Sequence, residues 1–145
     1  IVTGCLAQRY AEELVTELPE VDAFLGVACY SRLLETIQSV LAGKKTVCCD
    51  RIDDDIQPRV LTTPGHLAYV RIADGCSNHC SYCAIPMIRG ELKSRPMESI
   101  LSEISDLRAS GVAEAILIAQ DTTRYGEDLG RRALPELSCR LSAPA

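Results

Sequence analysis

No run in these 145 residues approaches the ~18 consecutive apolar positions of a membrane-spanning helix, and no basic stretch leads into an apolar core and cleavage site at the N-terminus. Membrane insertion and export are unsupported. Basic charge is not in excess either: 15 Lys and Arg stand against 20 Asp and Glu, a formal net charge of -5, which argues against a nucleic-acid backbone as the main partner. Internal repeats and low-complexity stretches are absent. Cysteine, at 8 residues, is too sparse for a secreted disulfide scaffold, which runs at ~8–10%. What remains, 47% hydrophobic and 24% charged positions, is the composition of a globular chain. Without export the thiols are expected to stay reduced in the cytoplasm, so clustered cysteines read as metal ligands or reactive groups rather than cystines. The opening Ile1-Val2-Thr3-Gly4 lacks an initiator Met and reads as the inside of a buried strand. It predicts a piece of a longer chain.

Residues 1–49 alternate strand-like and helix-like patterns. Ile1 to Thr3 is a short apolar run closed by Gly4; Tyr10, Ala11, Leu14, Val15 and Leu18 then recur at helical spacing until Pro19. A second strand is expected at Val21 to Leu25. Leu33, Leu34, Ile37, Val40 and Leu41 trace a second apolar face ending at Gly43, where a left-handed cap is expected, and Lys45 to Cys49 reads as a third strand. Strands alternating with helices imply a parallel, Rossmann-like α/β arrangement, with ligands gathered at the C-terminal strand ends. Cys5 sits at such an end. Residues 50–66 lose all periodicity, carry Asp53-Asp54-Asp55, Pro58 and Pro64-Gly65, and read as a linker whose acidic run is a solvated loop.

From residue 67 to 145 the order is strand, long loop, helix, strand, loop, helix. Leu67 to Ala73 is the first strand. A helix starts at Pro96 with Ile100, Leu101, Ile104 and Leu107 on one face, Ala115 to Ala119 is apolar throughout as in a parallel strand covered on both sides, and a last helix begins near Leu134. A closed eight-unit barrel needs ~250 residues, so a barrel here would hold only its first strand-helix units.

The densest chemical signal is Gly75-Cys76-Ser77-Asn78-His79-Cys80-Ser81-Tyr82-Cys83, three cysteines at C-x3-C-x2-C spacing directly after a strand. A closed zinc site needs four ligands, and the candidates for a fourth are Cys139 or His66. A four-iron cluster has four corners, and three Cys leave one iron open to an exogenous ligand. Three unligated core thiols are the remaining alternative, although Ser, Asn and His make a poor core segment. Cys29, Cys48, Cys49 and Cys139 show no ligand spacing and read as buried or incidental thiols. Adjacent Cys48 and Cys49 would point to opposite faces of a strand.

Cys76, Cys80 and Cys83, with Tyr82 before the last, resemble the C-x3-C-x-aromatic-C loop of radical S-adenosylmethionine enzymes. The resemblance implies that the three thiolates hold a 4Fe-4S cluster whose open iron is chelated by S-adenosylmethionine, and that reductive cleavage of the sulfonium gives a 5'-deoxyadenosyl radical. Tyr82 would pack beside the cluster or adenosine. Thr3-Gly4-Cys5-Leu6-Ala7-Gln8, Ala84-Ile85-Pro86-Met87-Ile88-Arg89-Gly90 and Ser94-Arg95-Pro96 narrow it to the methylthiotransferase family. That family implies a second 4Fe-4S cluster in an N-terminal domain, with Cys5 as the third of its three ligands and the other two upstream.

Ala119-Gln120-Asp121-Thr122-Thr123-Arg124-Tyr125-Gly126 resembles the Q-D-T-x-x-Y-G segment of the branch acting on an aspartate of ribosomal protein S-twelve, rather than the tRNA-adenosine branch. Gln120 and Asp121 would contact the S-adenosylmethionine amino group or the substrate, or simply cap the strand end. The resemblance therefore implies an α/β architecture: residues 1–49 end a Rossmann-like N-terminal methylthiotransferase domain, 50–66 link, and 67–145 begin a radical SAM partial TIM barrel. It implies two 4Fe-4S clusters and S-adenosyl-L-methionine as cofactors of the parent, a small-subunit ribosomal protein as substrate, and a flavodoxin- or ferredoxin-type electron donor. It implies no membrane partner, and the acidic balance disfavours tRNA. These residues by themselves are expected to be inactive.

Overall fold

The computed structural model describes residues 1–50 and 60–142, so the Asp53-Asp54-Asp55 run and Ala143 to Ala145 lie outside the described residues. The described chain divides into two compact units, one of residues 1–50 with 87–89 and the other of 60–86 with 90–142. Both are α/β with parallel strand pairing.

In the first unit, β1 (Val2–Thr3), β2 (Ala23–Leu25) and β3 (Thr46–Cys48) form a parallel sheet in that order. Val2 lies beside Phe24, and Leu25 beside Cys48. Parallel neighbours need crossovers, supplied by α1 (Cys5–Glu17) and α2 (Leu33–Leu41). Ala23, Phe24 and Leu25 are all buried, as expected of a central strand. Helix α1 starts at Cys5, ahead of the expected Tyr10. Tyr10 itself sits at φ -125° and ψ 28°, so the helical spacing is interrupted there. A 3-10 segment at Val27–Arg32, which carries no sequence period, precedes α2. Gly43, at φ 75°, supplies the expected left-handed cap: its N–H donates to Val40 O at 2.9 Å and that of Lys44 to Ser39 O at 3.0 Å. The apolar face of α2 is largely open, with Leu34 and Leu41 exposed and Thr36 the buried position.

The second unit is organised on β4 (Leu67–Arg71) and β7 (Glu114–Ile118), parallel, with Leu67 beside Glu114 and Arg71 beside Ile118. Helix α4 (Met97–Ala109) makes the crossover, with Glu98 in its first turn and Arg108 in its last, each complementing the helix dipole. The strand expected over 67–73 is divided. Ile72 turns the chain out of β4, and β5 (Ala73–Asp74) pairs instead with β6 (Lys93–Ser94) in an antiparallel clip. Between them in the chain lies a short helix α3 (Ile85–Arg89), opened by Pro86 in its first turn and grouped from Met87 on with the first unit. Val70, Ile72, Ile100, Tyr125 and Leu137 are fully or almost fully buried in one core, the last contributed by α5 (Leu134–Ser142). β7 differs from expectation: Ala115 and Ile118 are exposed, because among the described residues it pairs on one edge only, with β4. No helix among the described residues is long and apolar enough to cross a membrane.

Candidate metal centre

The three cysteines at C-x3-C-x2-C spacing lie on a loop closed at its base. The β5–β6 clip pairs Ala73 with Ser94 and Asp74 with Lys93, and just above it the Cys76 N–H donates to Gly90 O at 2.9 Å. Gly75 adopts φ 71°, and a Cβ placed there would lie 2.1 Å from Glu91 O and 2.6 Å from Gly90 O. Only glycine permits both the left-handed turn and the close approach. The Ser77 hydroxyl contacts Glu91 and accepts the Leu92 N–H at 3.0 Å. Further along, His79 takes φ 49°, and the Cys83 N–H donates to Cys80 O at 2.9 Å, closing a tight turn between these two cysteines.

Cys76 and Cys83 are half-buried and Cys80 is exposed; all three are free thiols. Tyr82 is 89% exposed, so its ring is open to solvent rather than packed on the chain's own core. His79 Nε2 stands 3.5 Å from Glu91 Oε1. Among the described residues, no three His, Cys, Asp or Glu side chains are gathered as ligands of a single ion. Zinc ligands would need to stand about 2.1–2.3 Å from one point, a tighter gathering than the cube corners of a four-iron cluster require.

The loop after β7 meets the cysteine loop. Asp121 caps the 3-10 turn Thr122–Arg124: its Oδ1 accepts the Thr123 N–H at 3.1 Å and the Thr123 hydroxyl at 2.7 Å, while Oδ2 accepts Asn78 Nδ2–H at 2.9 Å. The Thr123 and Asn78 hydrogen bonds hold its carboxyl below the ordinary carboxylate range. Arg124 reaches back to Asn78 Oδ1 at 2.5 Å. Asn78 and Arg124 received no role from the sequence, because residues 46 apart show no periodic relation that one chain could reveal. Gln120 is exposed beside Asp121.

Cys5 belongs to the other unit. It is an exposed free thiol opening α1, directly after Gly4 at φ 111°. Gln8, one turn on, donates through Nε2 to Cys49 O at 2.5 Å, and Gly26 leaves room for it: a Cβ at Gly26 would stand 2.2 Å from Gln8 Oε1. The Cys49 thiol donates to Ala7 O at 3.3 Å, and burial pushes it above its ordinary value. One expectation is corrected here. Cys29 and Cys48, read as unpaired thiols, are joined in a disulfide with Cα atoms 6.2 Å apart. Parallel pairing of β2 with β3 sets the end of β3 beside the 3-10 segment that follows β2, a juxtaposition that the chain separation of 19 conceals.

The Radical SAM superfamily model matches residues 70–140, which hold all three loop cysteines together with Gln120 and Asp121. Fold and loop thus define a radical SAM domain. The chain is 52% identical over 151 aligned positions to the ribosomal protein uS12 methylthiotransferase RimO of Desulforamulus reducens, covering 97% of this chain and 33% of that relative. Proteins of the same name from Clostridium kluyveri and Lachnoclostridium phytofermentans are 51% and 49% identical, covering 98% and 99% of this chain and 33% of each relative. The chain spans about a third of the length of these curated relatives. It belongs to the radical S-adenosylmethionine methylthiotransferase family.

Membership implies S-adenosylmethionine and iron-sulfur chemistry. The donor set fits: three free thiols on one loop, with its base fastened by backbone hydrogen bonds and its tip open, supply sulfur ligands without a fourth.

Proposed function

We propose that the complete protein methylthiolates an aspartate of ribosomal protein uS12, inserting sulfur at an unactivated C–H bond and adding a methyl group. The observation that carries this reading is the clipped loop with three free thiols, in a chain about half identical to RimO proteins. On this reading Cys76, Cys80 and Cys83 hold a 4Fe-4S cluster that presents an open iron to S-adenosylmethionine, and Cys5 is one ligand of a second cluster. Together the cluster and S-adenosylmethionine supply radical chemistry; the chain binds them, orients them and limits solvent access. Asp121, kept ionised, is an acceptor for the S-adenosylmethionine ammonium, and Gln120 and Tyr82 border the same space. Residues 1–49 are assigned to the end of the methylthiotransferase domain, 50–66 to a linker and 67–145 to the start of the radical SAM core. Reduction requires a flavodoxin- or ferredoxin-type donor in the cytoplasm, and the 145 residues by themselves turn nothing over.

The test is 5'-deoxyadenosine formation and methylthio transfer by the complete, anaerobically reconstituted protein, offered a uS12 peptide or tRNA. Product with the peptide supports the proposal. Deoxyadenosine coupled only to tRNA modification would replace the substrate, and about one zinc per chain without acid-labile sulfide would overturn the radical reading.

A further inference from the structure

The side chain of Asn78 is used at both ends. Its Nδ2 donates to Asp121 at 2.9 Å and its Oδ1 accepts from Arg124 Nη1 at 2.5 Å. A carboxylate only accepts and a guanidinium only donates, so these partners fix the orientation of the amide. Arg124 is fixed in turn. Its Nε and Nη2 meet the two oxygens of Glu127 at 2.7 and 3.0 Å in the fork geometry of a strong, charge-assisted pair. Arg132 adds a longer contact of 3.4 Å to the same carboxylate. The Arg124 side chain is only 19% exposed, and the amide it holds, that of Asn78, lies between Cys76 and Cys80 on the cysteine loop.

We propose that Arg124 is a positioning residue: through Asn78 it fastens the cysteine loop to the loop after β7, and its cation, partly offset by Glu127, raises the reduction potential of a cluster held by Cys76, Cys80 and Cys83. This inference rests on the cofactor reading above. One-electron reduction adds negative charge to the cluster, which a nearby cation stabilises and a nearby carboxylate opposes. The signs separate this role from mere scaffolding. Neutralising Arg124 and neutralising Glu127 both disturb one contact, yet they move the potential in opposite directions.

The experiment is an EPR-monitored redox titration of the complete protein after anaerobic reconstitution, comparing wild type with R124Q, R124K, E127Q and N78A. R124Q is expected to shift the midpoint to more negative values, E127Q to more positive values, and R124K to stay near wild type. Iron release to a chelator should run about tenfold faster in R124Q and in N78A, as for loss of one charge-assisted hydrogen bond. The double variant should be no faster than either single. Opposite shifts with a non-additive release rate support the assignment. Shifts of the same sign, an unmoved potential, or additive release rates overturn it while leaving the cluster reading intact. Failure of wild type to take up iron and sulfide overturns both.

Discussion

Replacing Cys80 by Ala leaves two thiolates on the loop, and two rarely hold a cubane. C80A in the complete protein should therefore lose most of the iron and sulfide assigned to this site; near wild-type content by metal and sulfide analysis would contradict the ligand assignment. Gly75→Ala acts on the same loop through backbone geometry. A left-handed φ of 71° and a Cβ position 2.1 Å from Glu91 O predict destabilisation of at least about 1–3 kcal/mol in urea unfolding. Cys49, with its thiol pushed up by burial and donating to Ala7 O, should alkylate more slowly near pH 8 than exposed Cys5 or Cys139. Quantifying labelled peptides checks the order. At this scale the sequence was most informative where chemistry is local: Cys76, Cys80 and Cys83 announce themselves by spacing. Asn78 and Arg124 do not, because their partnership exists only once two distant loops meet.

Elements were legible where one face is covered regularly. Helix α4 reads directly from Ile100, Leu101, Ile104 and Leu107 because that side packs on the core of the second unit. Ile100→Ala, at a fully buried position, should cost about 2–5 kcal/mol in urea unfolding and leave the first unit's helical signal unchanged. The β5–β6 clip escaped notice since two-residue strands carry no period, and a continuous apolar run through Ile72 hides the turn. Helix α3, only five residues long, is likewise below the length at which periodicity shows. The exposed flank of β7 shows the converse limit: an all-apolar pattern reports what a strand can pack against, while its neighbours decide which positions are covered.

For the molecule as a whole, Glu35, Glu98, Asp121 and Glu127 all titrate below their ordinary values, chiefly through hydrogen bonds to Arg32, Arg140, Thr123 and Arg124 respectively. Their folded values lie below the unfolded ones, so their stabilisation is present above the ordinary carboxylate range and is lost as pH falls through the folded values. The denaturant midpoint should drop between about pH 5 and pH 3, and less steeply in high salt, since these groups are exposed or nearly so. A midpoint flat across that interval would show the pairs to be without consequence. The clip at the base of the cysteine loop also bears on the order of synthesis. Its two strands, Ala73–Asp74 and Lys93–Ser94, emerge from the ribosome before Glu114–Ile118, the partner of Leu67–Arg71. The ring of chain bearing the three thiols can therefore be tied off while the sheet beneath it is still waiting for its second strand.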